Sequence, residues 1–190
     1  MGEGMPVASV RWRRLDVPAK DTCALWRTAT GYIMETTTET TFDDVPALVT
    51  CVLALDGNWR SSMSTLRLDW AARSWPSPRL TLAGDAQGNW TIDGIAASHL
   101  KGCACVDIGC TPATNTIAIM LLDLAPGASA TINSAWVQVP ALTVSVLPQR
   151  YTRLDVNRFR YESFATNFTA ELTTDAQGIV IDYGGIWRRV

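Results

Sequence analysis

The string Gln149-Arg-Tyr-Thr-Arg-Leu-Asp-Val-Asn-Arg-Phe-Arg-Tyr-Glu-Ser163 holds the densest set of groups able to do chemistry. A two-residue turn at Val156-Asn157 would pair Asp155 with Arg158, Leu154 with Phe159, and Arg153 with Arg160. Tyr151 then falls opposite Glu162. One face becomes Tyr151, Arg153, Asp155, Arg158, Arg160 and Glu162; the other becomes Thr152, Leu154, Phe159 and Tyr161. Two arginines directly opposed across strands repel, so they need anions beside them. Either Asp155 and Glu162 supply these, leaving a solvated ion-pair face of small energetic weight. Or Arg153 and Arg160 grip a carboxylate, phosphate or sulfate, which suits the fork of the guanidinium. A slip of one residue would exchange the faces and void the pairing.

Other candidate groups are sparser. His99, Cys103, Cys105 and Cys110 form H-x3-C-x-C-x4-C. Structural zinc prefers C-x2-4-C knuckles, and C-x-C clamps a tetrahedral ion poorly. These cysteines therefore read as small buried hydrophobes, and no metal or other cofactor is assigned. Acid–base catalysis needs two carboxylates in one cleft with separated pKa values. Asp107, Glu162 and Asp182 are acids in apolar surroundings, but nothing in the sequence brings two of them together. No catalytic residue is assigned. Among eight tryptophans, Asp56-Gly-Asn-Trp59 and Gly88-Asn-Trp90 each place one just after a hairpin turn. There it caps the end of a sheet core, or stacks on a sugar or lipid.

The elements that must position these groups are strands. Leu66, Leu68 and Trp70 alternate with Arg67 and Asp69; Phe168, Ala170 and Leu172 alternate with Thr169, Glu171 and Thr173. Leu142, Val144 and Val146 alternate in the same way with Ala141, Thr143 and Ser145. The runs Leu48–Leu55 and Ile117–Leu124 are apolar on both faces and read as buried strands. Glu35–Thr41, rich in Thr, favours strand over helix. Turn chemistry separates these segments at Asp56-Gly-Asn, Gly84–Gly88, Pro126-Gly127 and Asp175–Gly178. Helical content is limited to short turns at Asp93–Leu100 and Thr111–Thr116. The fold class is mainly β and antiparallel. Leu80–Trp90 resembles Ala170–Val180 at an offset of ninety residues, each copy turning at Asp-Ala-Gln-Gly. This leaves two readings open: a duplication with halves about 1–95 and 96–190, or a favoured hairpin turn used twice.

Composition bounds the rest. The 190 residues and 20.7 kDa make one domain, 1–190, able to bury about 70% of its unfolded surface without disulfide or metal. Hydrophobic residues at 47% and charged residues at 18% exclude a disordered chain. A net charge of −2 without a basic block argues against nucleic acid or an anionic membrane as the main partner. With one His, nucleophile–His catalysis has little to work with. The first thirty residues lack the apolar core of a signal peptide, and no run of ~18 apolar residues could span a membrane. Gly2 follows Met1, but the arginines and Asp16 beyond it fit a folded start better than a lipidated one. Five cysteines without framework spacing read as reduced thiols in the cytoplasm.

The same segments resemble a known family. Leu100-Lys-Gly-Cys-Ala-Cys-Val-Asp-Ile-Gly-Cys-Thr-Pro-Ala-Thr-Asn-Thr116 is similar to the pattern L-x-G-C-x-x-V-D-x-x-x-T-P-x-T-N-T of the putative glycolipid-binding family, first catalogued as a domain of unknown function. Gln149–Ser163 with Phe168-x-Ala-x-Leu-x-x-Asp175-x-x-Gly178 resembles its other block. Arg13-Arg-Leu-Asp16, Cys23, Asp56-Gly-x-Trp59 and Asp93-Gly94 also fit. The resemblance implies a curved sheet of half-barrel or partly closed barrel character, similar to bacterial lipoprotein carriers, with a concave surface for an acyl or glycolipid ligand. It implies that Thr111, Pro112, Thr114 and Asn115, with Tyr151, Arg153, Tyr161 and Glu162, line the site; Arg160 joins them through the pairing above. One departure stands out. Where the family continues L-P-I-R-R-L, this chain has Ile117-Ala-Ile-Met-Leu-Leu122, so that Met120 and Leu121 replace two arginines.

The expectation is a non-enzymatic protein that holds an amphiphile in an apolar groove. Eight buried methylenes would offer ~6 kcal/mol before ordering costs. Arg153, Arg160, Tyr151 and Asn115 would orient the head. Two alternatives accompany it: a hydrolase-like enzyme on a small carbohydrate or lipid ester, with Glu162 or Asp107 as base, and an interaction protein using a sheet edge.

Overall fold

The computed structural model describes residues 4–71 and 77–190; Gly2 lies outside them. Fifteen strands alternate with short turns: β1 (Met5–Arg14), β2 (Lys20–Arg27), β3 (Gly31–Phe42), β4 (Val45–Asp56), β5 (Ser61–Trp70), β6 (Arg79–Gly84), β7 (Trp90–Ile92), β8 (Ile95–Ala96), β9 (Cys105–Ile108), β10 (Ser129–Gln138), β11 (Thr143–Arg153), β12 (Arg158–Ser163), β13 (Phe168–Thr174), β14 (Val180–Tyr183) and β15 (Trp187–Arg189). A 3-10 turn covers Ser98–Leu100, and α1 spans Thr114–Leu122. The strands form one curved sheet in the order β8-β7-β6-β5-β4-β3-β2-β1-β15-β14-β13-β12-β11-β10-β9. Two meanders, β1 to β8 and β9 to β15, thus meet where the first and last strands pair. The sheet does not close into a barrel. Its gap is crossed by the segment after β8: Ala97 N–H reaches Trp90 O, Gly102 N–H reaches Gly88 O, and Val106 N–H donates to Ser61 Oγ at 3.0 Å.

Alternation builds the core as the sequence predicts. The inward row Trp12, Asp21, Thr38, Val49 and Leu68 runs across β1 to β5 in register, each residue at most 1% exposed. Leu48–Leu55 lies inside β4, but only its inward residues are deeply buried; Val52 on the other face is 42% exposed. The outer side of a single curved sheet has no second layer to cover it, which the two-sided apolar run does not reveal. The second expected strand, Ile117–Leu124, is instead α1 and its exit. A short run that is apolar all round fits a buried helix and a buried strand equally, so periodicity cannot separate them. In the turn before the helix Thr111 Oγ1 accepts the Ala113 N–H at 3.0 Å, and the helix ends at Asp123 in the left-handed region. Because α1 links β9 to β10, those two strands run parallel, the one parallel pair among the described strands.

The two similar turns are alike in detail. Asp85 Oδ1 accepts from the N–H of Gln87 and Asn89, and Asp175 Oδ1 accepts from Gln177 and Ile179; Gly88 and Gly178 share φ 74°. A third turn of this type uses Asp56, with Trp59 at φ 66° in the glycine position, stacked on Tyr32 at 4.2 Å. Trp59 and Trp90 are both buried, and Trp90 Nε1 donates to Cys103 O.

Two glycines in this region make opposite predictions. A Cβ on Gly31 would stand 2.0 Å from the Leu55 carbonyl oxygen, so backbone must move. Gly31→Ala is expected to lower unfolding free energy by about 3 kcal/mol or more. Gly57→Ala, which meets nothing within 4 Å, should stay within about 0.5 kcal/mol. Urea denaturation of both variants checks the pair.

Candidate functional site

The hairpin of β11 and β12 departs from the expected register by one residue. Arg150 opposes Glu162, Tyr151 opposes Tyr161, Thr152 opposes Arg160, and Arg153 opposes Phe159. The cause is the turn. Asp155 Oδ1 accepts the N–H of both Asn157 and Arg158 at 3.0 Å, and Leu154 N–H bonds Arg158 O. This makes a three-residue loop, Asp155–Asn157, in place of the two-residue turn. Arg153 and Arg160 therefore lie on opposite faces and do not form a pair. Arg153 is on the inner side, donating to the carbonyls of Leu124, Asp155 and Val156 and lying 5.5 Å from the Phe159 ring. Arg160 is exposed on the outer side. Glu162 is there too, held by Arg150 at 2.5 Å, which keeps its carboxyl below the usual range.

The slip turns both tyrosines inward. Tyr151 and Tyr161 lie 5.2 Å apart between centroids, and Tyr151 OH donates to Asn115 Oδ1 at 2.9 Å. Asp107, on β9, accepts from Thr114 Oγ1 at 2.9 Å and from the Gln149 amide. Ser134 Oγ donates in turn to Gln149 Oε1. Burial raises the Asp107 pKa above the ordinary carboxylate value, and these two donors offset part of the rise. Asp107, Thr111, Asn115, Tyr161, Trp136 and Trp187 are among the residues lining a pocket of about 140 Å³. Its mouth passes exposed Gly109 and Thr166. Carboxylate, amide and hydroxyl beside indole rings suit a compact hydroxyl-bearing group; the volume is below that of an ordinary ligand pocket.

Of the sequence-expected residues, Thr111, Asn115 and Tyr161 line this pocket, while Thr114 and Tyr151 support it from behind. Pro112 is buried at the entry to α1, where its carbonyl accepts from Asn115. Arg153, Arg160 and Glu162 are not among the lining residues. Met120 and Leu121 are half-buried against the core. All five cysteines are free and buried, and His99 meets the Val144 carbonyl on the surface. Among the described residues no group of three or more His, Cys, Asp or Glu could hold a metal ion.

Asp21 did not stand out in the sequence, yet it joins the two meanders. Thr111 Oγ1 donates to Asp21 Oδ2 at 2.5 Å, and Thr38 Oγ1 donates to Oδ1 at 2.8 Å. The side chain is 0% exposed and burial pushes its pKa up to about 7, against the pull of the two hydroxyls. The signal was present: Asp21 occupies the inward parity of Asp21, Cys23 and Leu25 in β2.

Beyond Asp21, at the ends of β1 to β5, lies a trough of about 600 Å³. Pro18, Ala19, Pro46, Ala47, Leu48 and Trp70 supply its apolar wall, and Trp70 also meets Phe42 edge-on at 5.9 Å. One contact joins the trough to the polar pocket: Arg14 of the trough lies 5.7 Å from the Trp187 ring of the pocket. The volume falls in the range of small-molecule sites.

Residues 9–189 match the model of a family described as putative glycolipid-binding, and the chain belongs to that family. A solved structure of a DUF1089 family protein from Pseudomonas aeruginosa is similar to it, with a TM-score of 0.81 and 30% sequence identity over 94% of this chain and 95% of that one. A comparison with curated proteins finds no match. No helix among the described residues is long and apolar enough to cross a membrane.

Asp21 makes stability depend on pH. Its folded pKa near 7 exceeds the unfolded value of 3.8, so the folded state binds the extra proton between them. Stability from this group therefore falls as pH rises from about 4 to about 7. Asp21→Asn should make the decline in melting temperature between pH 5 and 7.5 less steep than in the wild type. An unchanged slope would contradict the assignment.

Proposed function

We propose that this member of the putative glycolipid-binding family is a non-catalytic binder of a single-chain amphiphile, with the chain in the trough and a hydroxyl-bearing head in the polar pocket. The observation that carries this reading is the adjacency of an apolar trough of about 600 Å³ to a polar pocket of about 140 Å³. The family description supports a glycolipid as the ligand class. Eight methylenes in the trough contribute ~6 kcal/mol before ordering costs, short of the ~8 kcal/mol of micromolar affinity. Head contacts must supply the difference. Thr111, Asn115, Tyr161 and Asp107 are the groups for this, with Trp136 and Trp187 as ring faces. A ligand reaching both compartments must displace Arg14 from Trp187. The Arg14 side chain is 29% exposed and Trp187 only 4%, so this part-buried contact costs about 1–2 kcal/mol to break.

A second reading rests on Asp107. A half-buried carboxyl with a raised pKa, facing a pocket beside Tyr161, is the kind of group that serves as general acid or base. This keeps a hydrolase on a small carbohydrate in view, with Asp107 in place of Glu162.

Calorimetry with decyl glucoside below its micellar concentration tests the first reading. The wild-type protein should bind it, and Trp70→Ala should weaken binding about tenfold, as expected for losing ~1.4 kcal/mol of apolar contact. Undiminished affinity in the variant, with the fold intact by circular dichroism, would overturn the placement of the chain.

A further inference from the structure

The outer face at the mouth of the trough carries an arrangement of charge that the fold itself does not neutralise. Across β15, β1, β2 and β3 the directly opposed residues are Arg188, Arg13, Lys20 and Glu39. Arg13 thus has a cation on each side, and Arg11 stands two residues away on its own strand, on the same face. Opposed like charges in a sheet are destabilising. Arg188 is compensated by Asp182 at 2.9 Å. Arg13 and Lys20 have no ion pair within 4.0 Å among the described residues, although Glu39 is the cross-strand neighbour of Lys20.

Arg13 and Lys20 also line the trough, with Arg14, Glu39 and Asp69. The other charges there are mostly committed. Arg14 pairs with Asp16 at 2.7 Å, and Asp69 pairs with Arg67 at 2.7 Å and accepts from Ser77. This leaves two cations and one carboxylate at the edge of an apolar wall. An anion placed between Arg13 and Lys20 would relieve their mutual repulsion, while a second cation would increase it.

We infer that the trough selects amphiphiles carrying an acidic group, a phosphate or a carboxylate near the chain, which Arg13 and Lys20 receive at its mouth. This rests on the reading of the trough as the chain site and specifies its ligand class. The guanidinium supplies the fork for two oxygens, and the ammonium acts as a point charge. Both side chains are exposed, so salt should screen the preference.

The test is calorimetry with decyl phosphate and decyl glucoside, on wild type and on the double variant Arg13→Gln/Lys20→Gln. The expected result is a phosphate-over-glucoside affinity ratio that falls at least fivefold in the double variant at low salt. In the wild type that ratio should also shrink on raising salt from 0.05 to 0.5 M (roughly a threefold fall in Debye length). Glucoside binding with an unchanged ratio overturns the acidic-group inference alone. Failure of both probes to bind the wild type overturns the trough reading, and the inference with it.

Discussion

The rest of the molecule depends on one hydrogen bond, donated by Thr111 to the buried Asp21 carboxylate. A carboxylate 0% exposed, with hydroxyl partners and no ion pair among the described residues, is costly to ionise, and it stays charged only at the upper end of the physiological range. The same Thr111 oxygen accepts the Ala113 N–H in the turn just before α1. One side chain therefore ties β2 to the turn that leads into the helix.

That tie matters because the sheet has no second layer. The fifteen described strands expose two faces, and the nine-residue α1 covers little of the inner one. The sheet instead curls until its own inward rows meet, and the segment bridging Trp90, Gly88 and Ser61 spans the gap. Curvature of this kind leaves space at strand ends, where β1 to β5 run on past the covered core. The trough is that space, apolar because inward residues such as Ala19 and Ala47 continue the core's alternation to the last rung. The outer face, lacking a covering layer, is where arginines and carboxylates collect.

Strands were legible because alternation with a period of two is a local signal. Leu66, Leu68 and Phe168, Ala170, Leu172 took the faces their spacing demanded. Two local ambiguities were resolved only in three dimensions. The run after Thr116 is apolar all round, and its burial on every side admits a helix. The Asp155 side chain captured two N–H groups and lengthened a turn by one residue, which moved Arg153 away from Arg160 and turned Tyr161 inward. The candidate pocket was partly legible: Asp107, Thr111 and Asn115 come from the string Leu100–Thr116 and Tyr161 from Gln149–Ser163, and the fold brings all four to one lining. The trough was not legible, since Arg13, Pro46 and Trp70 are brought together only by strand register across β1 to β5.

Carriage of an amphiphile is the proposal on which the functional reading rests. Native mass spectrometry of protein purified gently from its own cells, beside a denatured sample, tests it most directly. A reproducible added mass that denaturation releases and that fragments into an acyl chain and a polar head is the expected result. A clean protein mass that stays unchanged when amphiphiles of that class are added back would contradict it.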